Sequence, residues 1–146
     1  MTVLKFSENL KKLREARGFS QRALAMKLGA QQTSVYLWET TSRTPDILAA
    51  ADIADVFGVT LDDLVGRTPP LVQVEAQTKP FGEIIKEKRT ARHWTQPTLA
   101  EFVGVSSSNI LAWEKGDTIP MLASFVRLAD VFNCSLDELL GRRVRT

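Results

Sequence analysis

The apolar residues of this chain recur three and four positions apart in two long stretches, residues 6–67 and 81–142. In the first stretch, Phe6, Leu10 and Leu13 form one such stripe, and Gly18, which tolerates a left-handed turn, follows its predicted end. Neither stretch alternates apolar and polar residues with the period of two that is typical of a half-buried strand. The pattern therefore predicts an all-α fold with five short helices in each stretch.

Residues that favour helix ends subdivide the first stretch. Ser20 is suited to N-cap a second helix that runs through Leu28, because its hydroxyl can accept a hydrogen bond from a first-turn amide. Gly29 then separates this helix from a third. Thr44 followed by Pro45 has the pattern of an N-cap and a first helical residue, so we predict that the fourth helix opens there.

The second stretch repeats the first after a shift of 75 residues, without a gap, and 22 of the 62 aligned pairs are identical. Thr95 and Gly104 are predicted to mark the same helix boundaries in the second repeat. His93, a residue type enriched at positive φ, stands where the first repeat has Gly18. The identical pairs include Arg14/Arg89, Gln21/Gln96, Leu24/Leu99, Ala25/Ala100, Trp38/Trp113, Glu39/Glu114 and Pro45/Pro120.

This duplication predicts two tandem domains. Their expected bounds are residues 1–67 and 81–142, with a linker of residues 68–80 between them and a basic tail, residues 143–146. Prolines near both ends of the linker argue against a continuous helix. Leu71–Val74 could form a short strand instead, but four residues are few for a strand, and an extended linker is the favoured interpretation.

The composition is that of an ordinary soluble protein, with 44% hydrophobic and 25% charged residues. No apolar run approaches the ~18 residues that cross a bilayer. The N-terminal residues also lack the apolar segment of a signal peptide. We therefore expect a cytoplasmic protein without a membrane partner.

Catalytic and metal-binding functions have little support in the sequence. His93 and Cys134 are the only residues of their types, so a His/Cys metal site and an internal disulfide are excluded. The chain contains neither a glycine-rich phosphate loop nor a G-x-S-x-G motif. We expect no enzyme, no cofactor and no metal.

Charge is distributed unevenly along the chain. Residues 1–45 carry eight Lys/Arg and three Glu, a net charge of +5, whereas residues 46–67 carry one Arg and five Asp, a net charge of −4. Residues 81–120 hold five basic and five acidic residues and are neutral. The first repeat could therefore present a basic face to a polyanion. An ordinary solvated surface of mixed charge is the alternative.

The chain resembles the lambda-repressor/Cro-like helix-turn-helix family, also called the xenobiotic-response-element type, in residues 19–39 (FSQRALAMKLGAQQTSVYLWE) and 94–116 (WTQPTLAEFVGVSSSNILAWEKG). Small residues such as Ala25 suit the close crossing of the two helices of this motif. Trp38 and Trp113 are expected to be core residues that hold the third helix, rather than platforms for base stacking.

The resemblance implies that the third helix of each repeat reads base edges in the major groove. The implied base-reading residues are Gln31, Gln32, Thr33, Tyr36 and Leu37 in the first repeat, and Ser106, Ser107, Ser108, Leu111 and Ala112 in the second. A glutamine can pair with adenine and a leucine can contact the thymine methyl group, so an A·T-containing half-site is expected. For the short side chains of the second repeat, an ordinary polar surface is an equally weighted alternative.

Phosphate contacts are implied in the same way. The implied phosphate-binding residues are Arg14, Gln21, Arg43, Arg89, Gln96 and Lys115. The pairs Arg14/Glu39 and Arg89/Glu114 match an ion pair of the family, and a purely structural salt bridge remains the alternative for them.

The two repeats end the third helix differently. The second has the expected Glu114-Lys115-Gly116, whereas the first has Glu39-Thr40-Thr41 and lacks the glycine. We therefore predict a different loop path from Thr41 to Arg43.

These features imply a sequence-specific double-stranded DNA-binding transcriptional regulator of bacterial or phage type, with a repressor as the expected kind. The alternative is an antitoxin-like interaction module in which one repeat binds DNA and the other, the neutral second repeat, binds a protein partner. A homodimer through Leu61–Val65 or Leu136–Leu140 is left open, although these leucines are preferred as core residues of their own domains.

Overall fold

The computed structural model describes residues 4–70 and 79–142, and these residues form ten α-helices. The first five are α1 (Phe6–Ala16), α2 (Gln21–Leu28), α3 (Gln32–Thr40), α4 (Ile47–Phe57) and α5 (Leu61–Val65). The other five are α6 (Phe81–Ala91), α7 (Gln96–Val103), α8 (Ser107–Lys115), α9 (Leu122–Phe132) and α10 (Leu136–Leu140). The chain divides into two compact units, one that contains α1–α5 together with Met121–Ala123, and one that contains α6–α8, the rest of α9 and α10. The prediction of an all-α fold with two five-helix domains is confirmed.

Two predicted features lie outside the described residues. They are the alternative strand at Leu71–Val74 and the basic tail, residues 143–146.

Most helix ends follow the sequence. The hydroxyls of Ser20 and Thr95 each accept a hydrogen bond from the backbone amide three residues later, as predicted for the N-caps of α2 and α7. Gly29 ends α2 in the left-handed region with φ 66°. Gly18 and His93 occupy that region at equivalent positions, with φ values of 70° and 58°. The second repeat therefore keeps the turn without the glycine.

The predicted start of α4 is wrong. The N-cap is Asp46, not Thr44, and the helix begins at Ile47. The Asp46 carboxylate accepts the amide of Ala49 at 2.9 Å. A charged oxygen both satisfies a free first-turn amide and interacts favourably with the positive end of the helix dipole. Asp46 is therefore the N-cap residue, and Pro45 lies one residue before it.

Each domain has its own apolar core. In the first, Leu10, Val35 and Phe57 come from α1, α3 and α4 and are at most 1% exposed. Five of the six apolar residues of α5 and α10 are also buried and complete the cores, namely Leu61, Leu64, Val65, Leu136 and Leu139. Leu140, the last residue of α10, is only half-buried, so the preference for core residues holds there in part.

The two tryptophans of the third helices differ in burial. Trp113 is 5% exposed and belongs to the core, as predicted. Trp38 is only half-buried, so its predicted place in the core is correct in part. Val35 remains the fully buried anchor of α3.

None of the helices in the described ranges is long and apolar enough to cross a membrane.

Candidate nucleic-acid interface

Helices α2 and α3 form a helix-turn-helix unit in the first domain, and α7 and α8 form the equivalent unit in the second. On α2, Leu24 and Ala25 are 0% and 3% exposed, and Leu99 and Ala100 on α7 have the same values. The small alanines allow the helices to approach closely, as the spacing predicts. Each third helix is therefore fixed along one face and open along the other.

In the first domain, four predicted site residues lie together on the open face. Gln21, Gln32, Thr33 and Tyr36 line a surface depression of about 250 Å³. Gln21 comes from the start of α2, whereas the other three belong to the first half of α3. The Tyr36 side chain is 52% exposed. The fold thus brings one predicted phosphate-binding residue beside three predicted base-reading residues.

The other two predicted base-reading residues of this domain lie at the margins of the face. Gln31 is the exposed N-cap residue of α3, and its side chain makes no capping hydrogen bond. Leu37 is half-buried. Gln31 therefore presents its amide to solvent, while Leu37 presents part of its side chain.

The open face of α8 carries shorter side chains than that of α3. Ser107 and Ser108 are exposed, and Leu111 is 40% exposed. Ala112 is half-buried, and the Ser106 hydroxyl already N-caps α8 by accepting the amide of Asn109 at 3.2 Å. The second face thus offers short hydroxyls and one aliphatic side chain.

A network of three side chains joins three helices of the first domain. Arg14 donates from Nε to Glu39 Oε2 at 2.6 Å and from Nη2 to Oε1 at 2.9 Å. Arg14 Nη1 donates to the Phe19 carbonyl at 2.8 Å, and Gln21 Nε2 donates to Glu39 Oε1 at 3.3 Å. The hydrogen bonding of Arg14 to Glu39 raises the pKa of Arg14 above its ordinary value despite the opposing effect of burial. This network fixes α1, the start of α2 and the end of α3 relative to one another.

The second domain repeats the network with nearly identical geometry. Arg89 donates to both oxygens of Glu114, at 2.7 and 3.0 Å, and to the Trp94 carbonyl at 2.8 Å. Gln96 donates to Glu114 Oε1 at 3.3 Å. The Glu114 hydrogen bond likewise raises the pKa of Arg89. Both domains therefore hold the second-helix glutamine through a glutamate.

The predicted phosphate-binding residues fall into two groups by accessibility. The side chains of Arg14 and Arg89 are each 11% exposed and directed to their glutamates. Arg43 and Lys115 are exposed, and Gln21 and Gln96 are half-buried at the helix starts. The exposed pair and the glutamines are the side chains with access to a ligand.

The ends of the third helices differ, as predicted. Gly116 ends α8 in the left-handed region with φ 77°. Thr41 ends α3 in an extended conformation, with φ −128° and ψ 179°. Its hydroxyl donates to the Leu37 carbonyl at 2.5 Å and accepts the Arg43 amide at 3.1 Å. One threonine hydroxyl thus links the end of the helix to the loop that carries Arg43.

Sequence reasoning missed the contact between the first and third helices. Ser7 Oγ donates to the Trp38 carbonyl at 2.7 Å and to the Thr41 carbonyl at 3.1 Å. The equivalent residue in the second domain is Gly82, where an added Cβ would lie 2.5 Å from the Trp113 carbonyl oxygen. The Ser7/Gly82 difference is one of 40 between the repeats, so the sequence alone did not single out this position.

These units define a helix-turn-helix protein. The Helix-turn-helix family model HTH_3 matches the chain twice, over residues 10–64 and 85–139. The chain belongs to this family, and the lambda-repressor/Cro-like resemblance is confirmed.

Similar proteins include regulators from several bacteria. The cryptic phage CTXphi transcriptional repressor RstR of Vibrio cholerae serotype O1 is 33% identical over 60 residues, which are 41% of this chain and 54% of RstR. The HTH-type transcriptional activator BcrR of Enterococcus faecalis is 36% identical over 61 residues, which are 42% of this chain and 30% of BcrR. The chain thus matches about half of RstR and less of BcrR.

One similar solved structure is the P22 c2 repressor protein in complex with synthetic operator 9T in the presence of Tl⁺. It is 35% identical, with a TM-score of 0.42, and the match covers 43% of this chain and 96% of the repressor chain.

Proposed function

We propose that this chain is a sequence-specific double-stranded DNA-binding transcriptional regulator that reads the major groove with α3. The observation that carries the proposal is the grouping of Gln32, Thr33 and Tyr36 with Gln21 on the open face of a helix-turn-helix unit. A major groove about 12 Å wide admits such a helix. RstR is named as a transcriptional repressor and BcrR as a transcriptional activator, which supports a role in transcriptional regulation.

Base reading in the first domain rests mainly on the glutamines. A glutamine amide can donate a hydrogen bond to N7 and accept one from N6 of the same base only when that base is adenine. Gln31 and Gln32 therefore favour A·T pairs. Thr33 and Tyr36 add hydroxyls, and the exposed part of Leu37 suits a thymine methyl group.

Phosphate contacts set the register of the helix on DNA. Gln21 and Gln96 stand at the starts of α2 and α7, where free backbone amides and the helix dipole favour an anion. Arg43 and Lys115 supply mobile positive charges near the ends of the third helices. Arg14 and Arg89 act through their glutamates, as positioning residues for the glutamines and for the third helices.

The two domains have unequal roles in this proposal. The first has a basic front half and long amide side chains, whereas residues 81–120 are neutral and carry short serines on the open face. Ser107, Ser108, Leu111 and Ala112 therefore contribute weak base discrimination, and Ser106 chiefly caps its helix. The second domain adds affinity more than specificity.

Covalent linkage makes the weaker domain useful. The 13 residues from 68 to 80 reach at most about 43 Å when fully extended. Successive major-groove sites on one face of DNA are about 34 Å apart. Once the first domain is bound, the linker raises the effective concentration of the second without any new contact.

Promoter occupancy makes repression the expected outcome. A regulator bound to promoter DNA excludes other proteins from the same DNA site by mass action alone. Activation would need an additional surface that contacts the transcription machinery. The name of BcrR includes activation, so a reporter under the selected operator must measure the sign of the effect.

The deciding experiment is selection from a random duplex library with the intact chain, Gln32→Ala and Ser107→Ala. The intact chain should enrich a motif, Gln32→Ala should alter it at particular base pairs, and Ser107→Ala should alter it little. These two positions are equivalent in the repeats, so each variant is the matched control of the other. Failure to enrich any motif at moderate salt would overturn the proposal.

A further inference from the structure

The second domain carries an apolar groove between α7 and α9. Phe102 and Val103 line it from α7, and Arg127, Asp130 and Val131 line it from α9, around a volume of about 200 Å³. The Phe102 side chain is 55% exposed. Its ring meets that of Trp94 edge to face, with the centroids 5.0 Å apart. A large aromatic ring is thus held in a fixed orientation while half of it faces water.

The first domain has charged residues at the matching positions. Lys27 is equivalent to Phe102, and Asp52 is equivalent to Arg127. The Lys27 ammonium lies 4.9 Å from the ring centroid of Phe19, the residue that corresponds to Trp94. In the first domain a hydrated cation therefore covers the ring, whereas in the second domain an exposed ring takes its place. The duplicated fold does not require Phe102.

Arg127 adds an accessible cation to this apolar surface. It is exposed, and Asp130, three residues further along α9, lines the same groove. Its Nη1 lies 3.6 Å from the position that a Cβ would take at Gly104, at the end of α7. A guanidinium is weakly hydrated and can bind a carboxylate through two parallel hydrogen bonds. Aromatic and arginine side chains are also the types that anchor protein interfaces.

We propose that this groove binds a peptide segment of another protein. The segment inserts one large aliphatic side chain against Phe102 and Val131 and sets a carboxylate against Arg127. The small volume suits a single side chain, and the guanidinium of Arg127 can hold one carboxylate. Asp130, which lines the same groove, disfavours a second acidic residue. DNA is not the expected occupant, because a phosphate backbone offers no apolar group for the exposed ring.

Peptide and DNA can bind at the same time in this arrangement. Phe102 lies six residues beyond Gln96 on α7, or about 9 Å along the helix axis. Gln96 marks the end of α7 that faces phosphate in the proposed function. The groove proposal does not depend on that function, since it rests on residues that the proposed DNA contacts do not use.

The test selects short displayed random peptides on the intact chain and measures the binding of one synthetic peptide by calorimetry. Phe102→Lys and Arg127→Asp resemble the first repeat at these positions, and Lys27→Phe is the matched change in the first domain. Enriched peptides should share a large aliphatic residue near Asp or Glu. Binding should weaken about tenfold or more in Phe102→Lys and Arg127→Asp and be unchanged in Lys27→Phe.

Three results would overturn the proposal. The first is the absence of enrichment, and the second is binding that Phe102→Lys leaves intact while circular dichroism shows that the variant is folded. The third is concentration-dependent self-association of the intact chain that Phe102→Lys abolishes, because the groove would then hold a second copy of this chain. Retained DNA binding by Phe102→Lys would separate any of these results from a failure of the DNA-binding proposal.

Discussion

Arg14 and Glu39 form an ion pair that is almost closed to solvent, with side chains 11% and 2% exposed. The pair joins the first helix to the end of the third, and Gln21 reaches the same carboxylate. A buried charge that loses its partner is costly, whereas an exposed pair contributes little. The network is therefore expected to stabilise the domain and to fix the open face of α3 together.

Removal of the carboxylate tests this role. Glu39→Ala leaves the Arg14 guanidinium without its main partner and should lower the free energy of unfolding of the first domain by about 3 kcal/mol. Hydrogen exchange of the α1–α5 amides measures this domain separately from α6–α10. Glu15, whose side chain is 58% exposed and 3.9 Å from Arg14, provides the control: Glu15→Ala should cost less than about 0.5 kcal/mol. Equal effects of the two variants would contradict the argument.

Much of this arrangement could be predicted from the sequence, because helix periodicity, capping residues and a gapless repeat all indicate the same fold. The Arg14/Glu39 pair followed from the resemblance, but its burial and its link to Gln21 depend on three-dimensional packing. Thr44–Pro45 was misjudged, since local preferences cannot rank two neighbouring caps when Asp46 offers a charged acceptor. The half-burial of Trp38 depends on neighbouring helices, so no local pattern encodes it.

Separate substitutions of Asp46 and Thr44 compare the observed N-cap of α4 with the one predicted from the sequence. Asp46→Ala removes the acceptor for the Ala49 amide and should destabilise the first domain by about 1 kcal/mol. Thr44→Ala should cost less than about 0.5 kcal/mol, because Thr44 does not cap the helix. Urea denaturation of both variants, followed by exchange at α4 amides, measures the difference. A larger loss in Thr44→Ala would restore the cap predicted from the sequence.

Gly82 is expected to tolerate no side chain. A Cβ there would lie 2.5 Å from the Trp113 carbonyl oxygen and 2.6 Å from that of Glu114, and backbone cannot move aside as a flexible side chain can. Gly82→Ala should therefore destabilise the second domain by roughly 1–3 kcal/mol. Thermal unfolding and exchange at α8 amides are the measurements.

The first domain supplies the counterpart of this substitution. Ser7→Ala keeps a Cβ that the packing already accommodates and removes only the hydroxyl that donates to the Trp38 carbonyl, at a cost of about 1 kcal/mol. A neutral Gly82→Ala would mean that α6 and α8 do not approach as closely as the structure indicates.

Arg43 tests the phosphate contacts of the proposed function. The Thr41 hydroxyl holds the Arg43 amide beside the end of α3, and the Arg43 residue is exposed. If Arg43 neutralises one phosphate, Arg43→Ala should reduce the slope of log affinity against log salt by about 0.9 and leave the selected base sequence unchanged. Thr118 is the equivalent residue of the second repeat and carries no charge, so Thr118→Ala should preserve the slope. Fluorescence anisotropy with one duplex across a salt series measures both variants. An unchanged slope in Arg43→Ala would remove Arg43 from the phosphate-binding set, whereas an altered base preference would assign it to base reading.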